Sequence, residues 1–274
     1  MTTKTVLITG ASSGIGRGIA LATARSGVVL HLGGRDAARL KAVADECSRR
    51  GATACWRSQD VTDRSGMADW LAEAGRDRLD MVYACAGVTG GARAPDVDGA
   101  AWEPAAQVRR MFAVDLDGAL NTILPALEIM RAQPRDAEGV RGRICAIASV
   151  AGLVSYPGTA SYSAAKGALD RFVIASGAYA RRAGIHLTSV CCGFVDTPMV
   201  AQNRFPMPGL VSTSHAVRKI LRGVARGQRR VVFPAWLVMG SRLMDMLPIT
   251  LAQYYYLRQG TGRPGSLTAL DDRD

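Results

Sequence analysis

Residues 199–244 contain no aspartate and no glutamate. The same stretch carries eight cations: Arg204, Arg218, Lys219, Arg222, Arg226, Arg229, Arg230 and Arg242. The whole chain has a formal net charge of +11. Two readings stay open. One is a solvated arginine-rich face. The other is attraction to something anionic, either a phosphorylated or carboxylate-bearing substrate or an acidic lipid surface. No nucleic-acid recognition motif accompanies the charge, which argues against a nucleic-acid partner. Histidine is scarce, and His31, His186 and His215 form no ligand pattern. The six cysteines (Cys47, Cys55, Cys85, Cys145, Cys191 and Cys192) lack metal-ligand spacing, so no metal is expected. Several sit in apolar runs, as small buried hydrophobes do, which points to reduced thiols and a cytoplasmic location. No secretory leader is expected, because residues 1–4 run straight into a strand-like segment. The apolar stretch 233–256 is broken by Arg242, Asp245, Pro248 and Gln253, too polar for a transmembrane helix. Repeats and low-complexity linkers are missing as well.

What is present reads as one globular domain. The chain has 274 residues, 48% hydrophobic and 21% charged, enough to bury a sizeable core undivided. Strand-like apolar runs near 5–9, 28–32, 53–57, 80–84, 143–148, 186–191 and 230–233 alternate with helical patterns. The helices are expected near 14–26, 37–50, 64–75, 101–130, 160–183 and 213–226. Such alternation predicts an α/β fold: a doubly wound, Rossmann-type parallel sheet of about seven strands, with helices on both faces and ligands at the carboxyl ends of the strands. The expected organisation is a domain over 1–235, an apolar helical extension over 236–259 and a flexible tail over 260–274. An exposed loop is expected at 134–142.

Thr9-Gly10-Ala11-Ser12-Ser13-Gly14-Ile15-Gly16 follows the first apolar run and opens the first helix. Strand, glycine turn and helix form the context of a dinucleotide-binding loop. Gly10 allows the sharp exit, Gly14 lets backbone approach a pyrophosphate, and Gly16 lets the helix pack on the sheet. Further on, Tyr162 and Lys166 stand four apart and share a helix face, with Ser149 thirteen residues upstream of Tyr162. An ammonium beside a phenol is expected to lower the tyrosine pKa from about 10 and make it a usable acid or base.

Taken together, TGASSGIG at 9–16, Asp60-Val61, Cys85-Ala86-Gly87, Ser149, Tyr162-x-x-x-Lys166 and Gly193-x-x-x-Thr197 resemble the short-chain dehydrogenase/reductase family in order and spacing. The resemblance spans about residues 4–235. It implies an oxidoreductase that interconverts a carbonyl and a secondary alcohol using a nicotinamide cofactor. Tyr162 would move the substrate proton, Lys166 would hold the nicotinamide ribose, and Ser149 would orient the substrate oxygen. The implied cofactor contacts are Gly10, Ser12, Ser13, Gly14, Ile15, Gly16, Asp60, Val61, Ala86, Gly87, Tyr162, Lys166, Gly193, Val195 and Thr197. The family's acidic residue at the end of the second strand is replaced by Gly34. Arg35 follows and suits a ribose 2′-phosphate, so the expected cofactor is NADP(H). The alternative is that Arg35 is only a surface cation and Asp36 reaches the ribose.

The chain departs from the family in three places. Cys85 replaces an asparagine. Cys192 replaces a proline before Gly193. Asp115, in Asp115-Leu116-Asp117-Gly118, takes the position of the family's catalytic asparagine; ionised, it has no donor, and it adds negative charge near Lys166. Asp115 and Cys192 keep a second reading alive, a catalytically quiet NADP(H)-binding regulator or scaffold. The family's substrate lid falls at 199–215, where Phe205, Met207, Leu210 and Val211 suit an apolar substrate portion. The Cys-Ala-Gly motif and the apolar tail are also similar to lipid-directed members such as 3-ketosphinganine reductases. The segment from Trp236 onward is read either as a core or oligomer-contact helix, or as an amphipathic helix making peripheral membrane contact. A homodimer or homotetramer is expected from family habit.

Overall fold

The computed structural model describes residues 3–90, 102–155, 157–201, 203 and 207–258. The flexible tail expected at 260–274 lies outside the described residues, as do Phe205 and Arg204 of the expected lid and basic stretch. Seven parallel strands form one sheet: β1 (Lys4–Thr9), β2 (Val28–Gly34), β3 (Thr53–Ser58), β4 (Met81–Ala84), β5 (Gly142–Ile147), β6 (Ile185–Cys192) and, last in the chain, β9 (Arg230–Phe233). Two short strands, β7 (Val195–Asp196) and β8 (Val211–Ser212), pair apart from it. The main order is β3-β2-β1-β4-β5-β6-β9. The chain therefore reverses direction across the sheet between β1 and β4, and the crevice outside their carboxyl ends is where such sheets bind ligands.

Helices α1 (Gly14–Thr23), α2 (Ala37–Arg49) and α7 (Thr213–Ala225) bury Ile19, Leu40, Val43, Val217 and Ile220 on one face of the sheet. On the other face α3 (Arg64–Ala74), α5 (Gly118–Ala132) and α6 (Ala160–Arg182) bury Met67, Trp70, Ile123, Met130, Leu169 and Val173. Central strands covered on both sides must be apolar throughout, and β1 and β5 end in four consecutive buried residues. Ion pairing also ties α6 to the sheet. Arg230 on β9 reaches Asp170 on α6 at 2.7 and 3.0 Å, and the Ser189 hydroxyl donates to the same carboxylate at 2.6 Å.

The long helix expected at 101–130 runs over 105–132 and carries a π turn in its middle. Helix α4 (Ala105–Phe112) runs into a π-helical turn, Ala113–Asp117, before α5 begins. A π turn inserts one extra residue and swings a side chain out of the normal helical position. The side chain it carries into the interior is Asp115. After β9 the chain forms α8 (Ala235–Asp245) and α9 (Ile249–Arg258), separated at Leu247-Pro248. Helix α8 packs on β9 and on the 3-10 turn Val150–Leu153, and α9 on the turn Pro157–Thr159. No described helix is long and apolar enough to cross a membrane.

Candidate active site

The glycine loop forms one wall of the crevice. Gly10 leaves β1 with φ +64°, and a β-carbon there would lie 2.8 Å from the Ala86 Cα. The exits of β1 and β4 are thus pressed together as only glycine permits. The Thr9 hydroxyl secures the second exit by accepting from the N–H groups of Cys85 at 3.1 Å and Ala86 at 3.2 Å. A side chain on Gly16 would overlap the Gly10 carbonyl oxygen, so α1 starts directly against the turn. Ser13 caps α1 without a side-chain hydrogen bond, leaving the first-turn N–H groups to a ligand. An anion at that helix start is favoured by both the donors and the dipole. The residues present therefore fit a dinucleotide pyrophosphate. Thr197 approaches the loop from the far side, its Cγ2 3.2 Å from a β-carbon built on Gly14. Gly193 donates to the Phe233 carbonyl at 2.8 Å, and Val195 is buried.

Ser12 stands beside the end of β2, its hydroxyl 3.5 Å from a β-carbon built on Gly34. Asp36 is occupied as the cap of α2: it accepts from the Arg39 N–H at 2.9 Å and pairs with the Arg39 side chain at 3.1 Å. Arg35 is exposed and makes no ion pair among the described residues. Asp60 accepts from the Thr62 N–H at 2.9 Å and the Thr62 hydroxyl at 2.8 Å. The Val61 carbonyl accepts from the Asn121 side chain at 2.9 Å. Ile15 is half-buried at the start of α1, and Gly87 follows β4.

Ser149 follows β5 and caps the 3-10 turn by accepting from the Ala151 N–H at 3.1 Å. Tyr162 and Lys166 face it from the first turns of α6. The distance between the two elements is set by backbone alone. A β-carbon on Gly152 would lie 2.6 Å from the Gly167 nitrogen, and one on Gly167 would lie 2.8 Å from the Gly152 oxygen. The Lys166 ammonium donates to the Ile147 carbonyl at 3.0 Å and stands 3.5 Å from Asp115 Oδ1. It lies 5.8 Å from the centre of the Tyr162 ring. Asp115 is completely buried; Oδ1 accepts from the Val88 N–H at 2.9 Å, and Oδ2 has no partner among the described residues. Gly87 leaves room for this pair, since a β-carbon there would be 2.8 Å from Asp115 Oδ1.

Burial pushes the Tyr162 phenol above its ordinary value, and the Asp115 carboxylate pushes the same way, against a hydrogen bond with Ser149. This corrects the expectation that Lys166 lowers it. The ammonium is spent on Ile147 and Asp115 rather than on the phenol oxygen. Burial likewise raises the Asp115 carboxyl, opposed by Lys166 and the Val88 N–H. The Cys192 thiol is pushed up to about 11 by burial, so it is neutral at ordinary pH and packs where the family's proline would stand.

Sequence reasoning missed Thr9 as the brace of β4, Asn121 beneath Val61, and Glu103. Glu103 accepts from the Ser161 N–H at 2.7 Å and the Ser161 hydroxyl at 2.9 Å, and so caps α6 from 58 residues away. No adjacent-residue pattern signals such a cap.

The family model for short chain dehydrogenases matches residues 4–207. The chain belongs to the short-chain dehydrogenase family. An uncharacterized oxidoreductase of Myxococcus xanthus is 36% identical over 252 residues, covering 90% of this chain and 94% of that protein. A D-beta-hydroxybutyrate dehydrogenase of Rhizobium meliloti is 32% identical over 203 residues, covering 72% and 74%. The crystal structure of a short-chain type dehydrogenase/reductase from Mycobacterium marinum superposes with a TM-score of 0.71 at 23% identity, covering 84% of this chain and 94% of that one. The short-chain dehydrogenases are oxidoreductases that use nicotinamide cofactors, act on small molecules and often form oligomers.

Asp115 is the departure from the family with a direct consequence for pH. A carboxyl whose folded pKa is raised favours the folded state only while protonated. That contribution fades as pH rises from the unfolded value of about 4 through the folded one. Asp115→Asn is therefore expected to unfold at a higher temperature than wild type at pH 8. The gap should narrow steadily toward pH 5. Thermal melts at four or five pH values measure it, and a gap that stays constant would show that the carboxylate is fully stabilised by Lys166.

Proposed function

We propose that this short-chain dehydrogenase is an NADP(H)-dependent oxidoreductase interconverting a carbonyl and a secondary alcohol on a hydrophobic, lipid-like substrate. The observation that carries the reading is the convergence of Ser149, Tyr162 and Lys166 beside a glycine loop built to receive a dinucleotide. When bound, the nicotinamide supplies or accepts the hydride. Ser149 holds the substrate oxygen, and Tyr162 exchanges the proton with it. A phenol kept neutral by burial and by Asp115 is a donor at ordinary pH, which favours carbonyl reduction: hydride to carbon, phenolic proton to oxygen. Lys166 anchors the ribose side. Asp115 is assigned a positioning role, holding Lys166 and the Val88 backbone in place of the family's asparagine.

The segment between β7 and β8 is assigned the role of substrate lid, with Met207 and Leu210 as an apolar wall. A homodimer or homotetramer, and a cytoplasmic location consistent with six free cysteines, complete the reading. The quiet-binder alternative draws on one observation, the partial neutralisation of Lys166 by Asp115. A screen of long-chain and phosphorylated carbonyl compounds followed by NADPH absorbance separates the two. Substrate-dependent oxidation of NADPH supports the enzyme; tight NADPH binding with no turnover across the screen supports the alternative.

The preference for NADP(H) rests on Arg35, since Asp36 is engaged with Arg39. A charge-assisted contact to phosphate contributes about 1.5–3 kcal/mol. Arg35→Ala should therefore weaken NADPH binding by about tenfold or more and leave NADH nearly unchanged. Fluorescence titration with both cofactors checks this, and an equal loss for both removes Arg35 from the 2′-phosphate.

A further inference from the structure

Helix α8 carries a stripe of large apolar side chains on its outer face. Trp236, Met239, Leu243 and Met246 recur at intervals of three, four and three residues, the spacing of one helical face. They are 57%, 73%, 64% and 82% exposed, and Ile249 at the start of α9 is 73% exposed. Val238 points inward and is buried. The stripe is a second apolar face, additional to the one that holds α8 on β9. Isolated exposed apolar residues need no explanation, but a continuous row on two consecutive helices marks a contact surface.

The surroundings of the stripe select the occupant. Arg242 on α8 lines one cleft with Arg171 and Arg230, where Asp170 is the acid present, and residues 199–244 contain no aspartate or glutamate. A second copy of the chain placed on this face would bring the same excess of positive charge. An anionic bilayer brings the opposite sign together with an apolar interior for the stripe. Location points the same way. Trp236 lies beside the segment that leads into β8, its ring 3.1 Å from a β-carbon built on Gly209. Helix α8 packs on the turn Val150–Leu153, which follows Ser149, and α9 on the turn Pro157–Thr159, which leads into the helix of Tyr162. Neither helix can span a membrane.

We propose that the α8–α9 face docks on the surface of an anionic lipid bilayer, with the mouth of the active site turned toward the lipid. The row of apolar side chains sinks to the acyl boundary while Arg171 and Arg242 meet the headgroups. This rests on the reading of the substrate as hydrophobic only for its benefit to the reaction; the docking itself is read without turnover.

The test uses the full-length protein and vesicle flotation. One set of vesicles is phosphatidylcholine alone, and the other contains roughly one-third phosphatidylglycerol. Wild type should float with the anionic vesicles at low salt, float at least tenfold less with the neutral ones, and be partly released at high salt. The triple variant Met239→Ser, Met246→Ser, Ile249→Ser changes only exposed positions. It should keep its thermal midpoint and lose at least tenfold of the vesicle binding. Failure of wild type to float with anionic vesicles overturns the proposal, as does a folded triple variant that floats equally well. Sedimentation velocity supplies the competing outcome. If wild type self-associates, the triple variant does not, and neither floats, the face belongs to a second copy and the lipid proposal falls. An NADPH assay that fails to find a substrate leaves the flotation result untouched, so the two readings fail separately.

Discussion

Replacing Tyr162 by phenylalanine is expected to remove between about 10² and 10⁴ of the turnover number, the range supplied by a positioned proton donor. The phenol oxygen is the one group proposed to hand a proton to the substrate oxygen. The aromatic ring and its packing survive the change, so NADPH should still bind within about threefold. Steady-state kinetics with any substrate that the screen yields, together with a cofactor titration, tests both halves. Turnover within tenfold of wild type would assign the proton to another group. The raised phenol pKa adds a pH signature. Carbonyl reduction needs the protonated form, so it should stay level to at least pH 9. Alcohol oxidation needs the deprotonated form and should climb with pH across the same window. A reduction rate that falls near pH 7 would mean that the phenol titrates far lower than its surroundings indicate.

Lys166→Met should carry the largest cost in stability. It leaves Asp115 buried with the Val88 N–H as its one remaining partner among the described residues. Breaking a buried pair by removing one partner costs about 3–5 kcal/mol, less what the carboxyl recovers by taking up a proton. That recovery has a sign. With the ammonium gone, the folded pKa of Asp115 rises further. The variant should be closest to wild type at pH 5 and fall away as pH rises through the folded value. The double variant Lys166→Met, Asp115→Asn removes the stranded charge and should regain most of the loss while remaining inactive. Urea unfolding at pH 5 and pH 8 reads the difference. A double variant no more stable than Lys166→Met alone would show that the lysine stabilises through packing rather than through Asp115.

The central strands β1, β4, β5 and β6 were legible because each is short, apolar and bounded by turn residues, as strands buried on both faces must be. The positions of Ser149, Tyr162 and Lys166 were legible because a motif of local spacing marks a helix face. Other features depend on partners far away in the chain. The π-helical turn at Ala113–Asp117 leaves no mark on the periodicity of α4 and α5, and it accompanies the close fit of Gly118 against Val61. The strands β7 and β8 are two residues each, below the length at which alternation can be seen. The reversed shift of Tyr162 came from treating Lys166 as though it had one neighbour. Its charge is shared with Asp115 and the Ile147 carbonyl, and only the folded chain brings those two to it.

The contact between Gly152 and Gly167 has a consequence for how this enzyme can diversify. Because bare backbone sets the separation of the Ser149 turn from the helix bearing Tyr162 and Lys166, no side chain at that contact can be traded to adjust it. The chemistry is locked at two glycines, whereas the segment between β7 and β8 and the outer faces of α8 and α9 can be rewritten residue by residue without disturbing it. Substrate range is therefore free to drift in descendants of this sequence while the reacting geometry is inherited unchanged. A library that randomises residues 199–210 should yield altered selectivity at high frequency, and one that randomises Gly152 and Gly167 should return glycine.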